Sequence, residues 1–499
     1  MELLDHIALG LSVALTFENL AYAFVGCLLG TLIGVLPGLG PLATISMLLP
    51  LTYSLQPEAA LIMLAGIYYG AQYGGSTTAI IVNLPGESSA VVTALDGYQL
   101  ARQGKAGLAL ATAALSSFFA GTVAAIFIAF LAKPLAQVAF QFGPAEYFAM
   151  MVVGLILATV LSNARMIESI AMVVFGILLS CIGTDITSGD ERFTFGATKL
   201  FDGLDFVVMA MAVFGFAEII KNLSEEDQGK NLGTARITRL MPRWAEIKAM
   251  FGPAARGTAI GSILGVLPGG GAAIGSFASY AVEKKVAKDP ELFGRGHLAG
   301  VAGPEAANNA ASQTSFIPLL TLGMPSNAVM ALMVGAMMIH DITPGPRVME
   351  TNPSLFWGLI ASMWVGNLML VILNLPLVGI WVRLLSVPYK LLYPAIMLLC
   401  CIGAFSLKND VFEIYLCAIM CLAGYIVVAL GLPAAPLLLG FILGPMLEEN
   451  LRRALLISRG DFSVLFSSWI SLGFYAVAIV SIIAMTAPSI RTKREVLEE

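Results

Sequence analysis

Long apolar segments with almost no charge constrain this 499-residue chain more than any other feature. Hydrophobic residues make up 58% of it and charged residues 12%, which is about half the charged fraction of a typical soluble domain. A helix needs roughly 20 consecutive apolar residues to cross a bilayer. The sequence therefore predicts an all-α integral membrane protein with about 10–12 transmembrane helices.

Apolar segments of spanning or near-spanning length recur along the whole chain. The predicted spans are residues 20–36, 59–84, 108–131, 145–161, 167–182, 206–220, 298–320, 356–384, 391–405, 411–430 and 465–485. Shorter apolar segments are predicted to be half-helices or the arms of re-entrant hairpins. These are residues 41–51, 272–282, 328–339 and 432–443.

Composition and missing motifs argue against several classes of protein. The net charge of −5 argues against a nucleic-acid partner. The six cysteines lie in apolar stretches without metal-ligand spacing to the three histidines. There is no HExxH, GxSxG or Walker motif, so we expect no ATP-driven pump, no catalytic residue and no organic cofactor. The N-terminus lacks the positive region of a cleaved signal peptide, and none is expected.

Two parts of the chain repeat one another. Residues 30–40 read GTLIGVLPGLG and residues 261–271 read GSILGVLPGGG, with seven of eleven positions identical. A weaker echo follows in the same order, GSTTAIIVNLPG at 75–86 and ASQTSFIPLLTLGMPS at 311–326. A chance match in a chain rich in Gly and Leu is the alternative. The common order favours two structural repeats.

The distribution of basic residues indicates that the two repeats are inverted. Each repeat has a Leu-Pro-Gly break followed by a later, Pro-containing break. In the loop after the Leu-Pro-Gly break, basic residues occur only in the second repeat, namely Lys284, Lys285, Lys288 and Arg295. In the loop after the later break, they occur only in the first repeat, namely Arg102 and Lys105. Because Lys and Arg favour the cytoplasmic side, the repeats are predicted to cross the membrane in opposite senses. Inverted repeats of this kind are typical of secondary transporters.

The repeats give a provisional division of the chain. We predict a first repeat with following membrane helices at 1–220, a polar, cytoplasmic linker at 221–250, a second repeat at 251–390, and C-terminal membrane helices with a short polar tail at 391–499. The basic residues of the last part, from Arg452 to Arg494, are hard to place on one side of the membrane with the spans predicted here.

Proline and glycine interrupt the apolar segments at matched positions. Pro lacks an N–H and Gly weakens a helix, so no regular helix runs through these breaks. Within a bilayer, an unwound segment must be covered by protein or line a cavity, and paired breaks therefore point to a binding site near the midplane. The alternative is a kink or a surface loop. The break residues are Pro37, Gly38, Gly40, Pro85, Gly86, Pro268, Gly269, Gly271 and Pro325.

Small polar side chains accompany each break and are the candidate substrate ligands. Hydroxyl and amide groups can hold a ligand without a fixed charge. They also supply ordinary hydrogen bonds between membrane helices, which is the alternative for any one of them. The candidates are Ser76, Thr77, Thr78, Asn83, Asn309, Ser312, Thr314, Ser326 and Asn327.

Cationic side chains are missing around the breaks, since residues 1–101 and 296–346 contain no Lys or Arg. An anionic substrate could instead meet the N-termini of half-helices, and the unwound segments could hold Na⁺ with ligands not yet assignable. Glu87, Asp96 and Glu305 are candidate intramembrane acids. The alternatives are water-facing helix ends for Glu87 and Asp96, and a helix-capping role for Glu305.

Several long motifs resemble the large membrane subunit of the tripartite tricarboxylate transporters. They are YYGAQYGGSTTAIIVNLPGESSAVVTALDGYQLARQGKAGLAL at 68–110, the LPGLGP segment, GVAGPEAANNAASQ at 300–313, LGMPSNAVMALMVGAMM at 322–338 and PGP at 344–346. The resemblance covers roughly residues 20–350, and the C-terminal third matches only in hydropathy. The Ser326-Asn327 pair departs from the family pattern, which leaves the substrate open.

The resemblance implies a multi-pass importer of small carboxylates, of the di- and tricarboxylate class, in the bacterial inner membrane. It implies Na⁺ or H⁺ as the coupling ion. The implied partners are a small membrane subunit of about four helices, a periplasmic solute-binding protein, a small organic anion and membrane lipid. Two alternatives stay open at this point: an ion channel with paired re-entrant loops, and an intramembrane enzyme.

Overall fold

The computed structural model describes residues 2–36, 39–160, 162, 164–185, 188–216, 220, 240–267, 271–384, 394, 397–398, 401–405 and 408–486. The α-helices of the first half are α1 (Glu2–Ala14), α2 (Phe17–Gly34), α3 (Pro41–Leu48), α4 (Pro57–Val82), α5 (Ala90–Leu100), α6 (Ala106–Ala139), α7 (Pro144–Val160), α8 (Met166–Ser180) and α9 (Phe206–Ala210). Those of the second half are α10 (Trp244–Val266), α11 (Gly271–Val286), α12 (Ala299–Thr314), α13 (Phe316–Leu322), α14 (Ala328–Ile339), α15 (Val348–Thr351), α16 (Pro353–Asn374), α17 (Val378–Leu384), α18 (Val411–Ala429), α19 (Ala434–Ile457) and α20 (Trp469–Thr486).

Other regular structure is limited to short pieces in the described part of the chain. Strands β1 (Gly183–Thr184) and β2 (Glu191–Arg192) pair antiparallel, with Gly183 opposite Arg192. The 3₁₀ turns are Leu49–Thr52, Thr198–Leu200, Pro290–Leu292 and Phe462–Phe466, and the π-helical turns are Ala101–Lys105 and Met211–Phe216.

The helices confirm the prediction of an all-α membrane protein. Within the described residues, 4 helices are long and apolar enough to cross a bilayer: Phe17–Gly34, Ala90–Ala139 (which includes the bend at Gly104), Pro353–Asn374 and Val411–Ala429. Several shorter apolar helices of 10–17 residues pack with them. Among these short helices are Pro41–Thr52 and Ala328–Ile339, where the sequence predicts half-helices.

Two series of helices follow the same plan, α2 to α6 and α10 to α16. In each, a helix ends at a Leu-Pro-Gly segment, a second helix returns, and a third helix breaks before a shorter one. A left-handed residue precedes each break: Asn83 (φ 58°) ends α4 in the first repeat, and Gly323 (φ 71°) ends α13, which follows α12, in the second. Each of these residues lies two positions before a proline, Pro85 or Pro325. The matched geometry supports the repeats inferred from sequence.

Backbone-to-backbone packing through glycine joins the first and third helix of each repeat. A Cβ atom added to any of these glycines would overlap a carbonyl oxygen of the partner helix, so only Gly fits. In the first repeat, Gly26, Gly30 and Gly34 of α2 lie against Met63, Ile67 and Ala71 of α4. In the second repeat, Gly257, Gly261 and Gly265 of α10 lie against Gly303, Ala307 and Ala311 of α12. In both lists the numbers rise together, so the paired helices are parallel.

The loops of the bundle gather at two ends. His340 lies beside Thr52, and Tyr147 is close to Arg347; we call this side end A (residues 52–58, 140–147 and 340–347). At the other side the Gln103 amide donates to the Arg295 carbonyl at 2.7 Å, and we call it end B (residues 101–105 and 284–297).

The two re-entrant hairpins enter the bundle from opposite ends. Helix α4 begins at end A, and α2 runs parallel to it, so α2 and α3 form a hairpin from end A. Helix α12 begins next to end B, and α10 runs parallel to it, so α10 and α11 form a hairpin from end B. This is the inverted arrangement that the basic residues predict.

The C-terminal arginines lie close to acidic partners. Arg452 pairs with Asp185 at 2.7 Å and with Glu448 at 2.6 Å, and Arg192 pairs with Glu448 at 2.9 Å. Ala454 and Leu465 pack with Ala145, which places this region at end A. These arginines add basic residues to end A, so the orientation proposed below rests on the loops of the two repeats.

A second ion pair ties the loop after α8 to the start of α18. Lys199 donates to Asp410, and this hydrogen bond holds the pKa of the Asp410 carboxyl below its ordinary value. Asp410 also caps α18, because its side chain accepts from the Phe412 N–H at 3.0 Å.

The sequence interpretation misses several details of the fold. Helix α1 and the β1–β2 hairpin were not expected. The span predicted at 298–320 divides at Ser315 into α12 and α13, and the piece at 432–443 belongs to the 24-residue helix α19. Most of the linker predicted at 221–250 lies outside the described residues, and the predicted division of the chain stays a prediction.

The glycine contacts can be tested with single methyl groups. Gly30→Ala and Gly261→Ala place a Cβ against a backbone carbonyl, and such overpacking costs about 1–3 kcal/mol. We expect each variant to lower the thermal unfolding temperature of the purified protein. Gly473→Ala in α20 is the matched control, because no atom lies within 4 Å of the added methyl. Equal effects of all three substitutions would contradict the packing described here.

Candidate functional site

Polar residues line one face of α12, in the second repeat. Glu305, Asn308, Asn309 and Ser312 are each 1–2% exposed. Their spacing of three, four and seven residues places them on the same side of a helix. That side faces α4, α5 and α6 of the first repeat, so both repeats contribute to the site.

The carboxylate of Glu305 is held by three hydroxyls, each on a different helix. Ser76 of α4 donates to Oε1 at 2.7 Å and Thr93 of α5 donates to the same oxygen at 2.5 Å. Ser117 of α6 donates to Oε2 at 3.3 Å. In the described part of the chain, no Lys, Arg or His pairs with Glu305. The buried charge therefore depends on hydroxyl donors alone.

Further hydrogen bonds extend this contact along α12. The Asn309 amide donates to Ser117 Oγ at 2.7 Å and to the Glu305 carbonyl at 3.2 Å. One turn away, the Asn308 amide donates to Glu87 Oε1 at 3.0 Å. The Gln72 amide of α4 donates to Ser312 Oγ. The two repeats are thus joined by neutral side chains and two carboxylates.

The two breaks of the first repeat meet beside this contact. The Thr78 hydroxyl donates to the Val35 carbonyl at 2.8 Å, where α2 has just ended. A Cβ on Gly40 would lie 3.1 Å from the Gly86 carbonyl oxygen, and a Cβ on Gly86 would lie 2.9 Å from the Gly75 Cα. The close approach explains why glycine occupies these positions. The N-termini of α3 and α5 consequently converge near Gly86.

The predicted polar residues of the second break have intramolecular partners. Asn327 caps α14, accepting from the Met330 N–H at 2.9 Å, and Ser326 donates to the Ser315 carbonyl at 3.3 Å. Thr314 donates to the Ala310 carbonyl at 3.0 Å within α12. Gly323 packs against Pro344 and Gly345 of the PGP segment. No contact joins this break to the carboxylate of Glu305 in the described residues.

The structure distributes the other predicted site residues as follows. Thr77 donates to the Tyr73 carbonyl at 3.0 Å, Asn83 ends α4 and is exposed, and Pro85 is half-buried beside it. Gly271 begins α11 and packs against Gly265. Pro37, Gly38, Pro268 and Gly269 lie outside the described residues. Ser76, Thr78, Asn309, Ser312, Gly40 and Gly86 are brought together; whether any of them binds substrate stays a prediction.

Two of the three candidate acids, Glu305 and Asp96, do not fit the helix-end alternatives given for them. Glu305 lies inside α12, six residues after its start, so the capping interpretation is wrong. Asp96 is fully buried and accepts from the Tyr280 hydroxyl at 2.9 Å and from the N–H groups of Gly294, Gly296 and His297. Asp96 therefore fixes the loop before α12, and water does not surround it.

A small cavity opens beside Glu305, with room for roughly one water molecule. Its polar lining comes from Tyr73, Ser76, Thr77, Ser117, Glu305 and Asn374. Gln72, Thr93, Ser117 and Asn374 were missed in the sequence interpretation. Their only signal is a small polar side chain within a largely apolar helix, which membrane helices also use for ordinary packing.

Comparison with known proteins places this site in a transporter family. The model of the tripartite tricarboxylate transporter TctA family matches residues 20–439. The chain is 54% identical over 495 residues to the uncharacterized 52.8 kDa protein in TAR-I ttuC' 3'region of Agrobacterium vitis, covering 99% of this chain and 98% of that protein. It is 56% identical over 235 residues to the uncharacterized protein in TAR-II ttuC' 3'region of the same organism, covering 47% of this chain and 97% of that protein.

No solved structure matches the chain. The two relatives carry no functional description, and the family match supplies the functional class. The match extends past residue 350 and so includes most of the C-terminal third, where the motifs alone showed only similar hydropathy. The resemblance seen in the sequence is confirmed: the chain belongs to the tripartite tricarboxylate transporter TctA family and is a multi-pass membrane transporter subunit, not an enzyme.

Proposed function

We propose that this protein is the large transmembrane subunit of a binding-protein-dependent secondary transporter. It imports small carboxylates, of the di- or tricarboxylate class, across the bacterial inner membrane and is driven by a cation gradient. Family membership supports transport of this class. The observation that carries the mechanism is the meeting of two inverted repeats at one polar contact, because such interfaces hold the sites of secondary transporters.

The substrate carboxylate is proposed to bind where the first repeat's two breaks meet. The N-termini of α3 and α5 converge near Gly86, and each helix N-terminus offers free N–H groups and a partial positive charge. Thr78 and Ser89 add buried hydroxyls at this place. An anion can therefore be recognised although no Lys or Arg occurs in residues 1–101.

Alternating access requires the contact between the repeats to change. The bonds from Asn308 to Glu87 and from Gln72 to Ser312 join the second repeat to the first at the edge of the proposed substrate site. They are hydrogen bonds between side chains that could exchange partners with a ligand or water. A movement of one repeat against the other would break these bonds and reopen the site on the opposite side.

The distribution of charge supports an orientation and a place for the partners. End B carries the basic residues Arg102, Lys105, Lys284, Lys285, Lys288 and Arg295. End B is therefore proposed to face the cytoplasm, and end A the periplasm. A periplasmic solute-binding protein would then deliver substrate at end A. The exposed apolar faces of α18 and α20 are suited to lipid or to a small membrane subunit of about four helices.

Uptake measurements test the proposed function directly. Cells that express this chain with its candidate partner subunits should accumulate one or more radiolabelled carboxylates from a panel, with saturable kinetics. Removing the soluble binding protein should abolish uptake, and collapsing the cation gradient should abolish accumulation. Non-saturating flux with measurable ion currents would instead support the ion-channel alternative. No carboxylate uptake by an abundant, correctly inserted complex would contradict the proposal.

Thr78 can be tested against a closely matched threonine. Thr78→Val removes the hydroxyl that joins α4 to the Val35 carbonyl, and we expect uptake to fall about 3- to 10-fold, as for the loss of one buried interhelical hydrogen bond. Thr112→Val in α6 removes a buried hydroxyl that bonds only the Leu108 carbonyl of its own helix. That control should keep uptake within about twofold of wild type. Equal uptake by the two variants, at equal abundance in the membrane, would remove Thr78 from the site.

A further inference from the structure

We propose that the small cavity beside Glu305 binds Na⁺, and that this ion is the coupling ion of the proposed transport reaction. The coupling role rests on the proposed function, whereas the Na⁺ site itself is argued from geometry. The sequence interpretation placed Na⁺ at the unwound segments. The site proposed here lies instead at the contact between the repeats.

The hydroxyl groups of the cavity have all donated their protons elsewhere. The Ser76 and Ser117 hydroxyls donate to Glu305, and the Thr77 hydroxyl donates to the Tyr73 carbonyl. The Tyr73 hydroxyl donates to the Ala114 carbonyl at 3.4 Å. Since each hydroxyl proton is already used, these hydroxyls offer only oxygen lone pairs to the cavity. A lining of this kind suits a cation and disfavours an anion.

Asn374 supplies an independent indication. It lies on α16 and is 6% exposed, and it lines the same cavity. Its amide donates to the Leu370 carbonyl at 2.9 Å, which leaves Oδ1 buried without a hydrogen-bond partner. An unpartnered buried amide oxygen costs about 1–3 kcal/mol, and coordination of a cation would remove that cost.

The charge and chemistry of the lining favour a monovalent hard cation. The lining offers hydroxyl, carboxylate and amide oxygens and contains no His, Cys or Met, which disfavours transition metals. Glu305 is its single carboxylate, so one positive charge neutralises it. A carboxylate buried without a cationic partner is costly in a membrane protein, and bound Na⁺ supplies that partner. The space, about that of one water molecule, fits a dehydrated Na⁺ and is too small for a tricarboxylate.

The position of the site explains how binding of the ion would affect binding of the substrate. Its ligands come from α4 and α6 of the first repeat, α12 of the second repeat and α16. Asn308, one turn beyond Glu305 on α12, bonds to Glu87 next to the proposed substrate site. An ion that fixes α12 against α4 would therefore also fix this edge of the substrate site.

Binding of ²²Na⁺ to the purified, assembled transporter without any carboxylate tests the site. The wild type should bind Na⁺ saturably, and its thermal unfolding temperature should rise with Na⁺ but not with K⁺ at equal ionic strength. Glu305→Gln should lower the Na⁺ affinity at least tenfold, and Asn374→Leu should do the same. Ser116→Ala is the matched control for Ser117→Ala, because the Ser116 hydroxyl is buried on the same helix but does not line the cavity.

The outcomes separate the site from the proposed function. Unchanged Na⁺ binding by folded Glu305→Gln or Asn374→Leu protein would overturn the site. A wild-type transporter that imports carboxylate but binds no Na⁺, with uptake that follows the pH gradient, would overturn the ion and leave the function intact. Na⁺ binding that the cavity variants abolish, in a protein that imports no carboxylate, would support the site and contradict the function. If Glu305→Gln protein does not fold, the Na⁺ affinities of Ser117→Ala and Ser116→Ala are compared instead. A lower affinity of Ser117→Ala alone supports the site, and equal affinities overturn it.

Discussion

The carboxylate of Glu305 is the interaction on which the arrangement of the two repeats depends. It lies inside α12 and draws in one hydroxyl each from α4, α5 and α6, so four helices of two repeats meet at a single group. Hydroxyl donors can satisfy the oxygen atoms of a buried carboxylate, but they do not neutralise its charge. The cation that we propose to enter and leave the site during each cycle would remove that imbalance, which would be hard to justify for packing alone.

Glycine determines how closely the helices around this group can approach. In each repeat three glycines, four residues apart, bring the first helix against the backbone of the third. The first helix of each hairpin is thereby fixed relative to the broken helix beside it. In the first repeat this brings Gly40 next to Gly86 and places Thr78 beneath the Val35 carbonyl. The same backbone contact thus stabilises the fold and shapes the proposed substrate site.

Much of the architecture was predictable because it follows from composition and periodicity. Apolar length predicts membrane helices, the repeated Leu-Pro-Gly segment predicts paired breaks, and the basic residues near Arg102 and Lys284 predict the inversion. The site was predictable only in part. Hydroxyl residues next to the breaks, such as Ser76 and Thr78, were predicted because the breaks themselves can be recognised in the sequence.

Residues within uninterrupted helices were missed for a physical reason. Asn374 and Ser117 are small polar residues within largely apolar helices, and sequence does not reveal which helix they face. Glu305 was interpreted as a cap because Pro304 suggests a helix start, whereas the proline lies inside α12. Tertiary packing of α12 against α10, as where Gly257 lies against Gly303, overrides that local signal.

The central claim is that the two hairpins enter the membrane from opposite sides, and labelling of single cysteines tests it most directly. Tyr53→Cys lies in the loop after the first hairpin and Lys288→Cys follows the second; both positions are exposed. In cells with a permeabilised outer membrane, an impermeant thiol reagent should label Tyr53→Cys, while Lys288→Cys should react only after the inner membrane is opened, with the parent protein as the control for the native cysteines. Labelling of both positions from the same side would contradict the inverted arrangement and the shared site built on it.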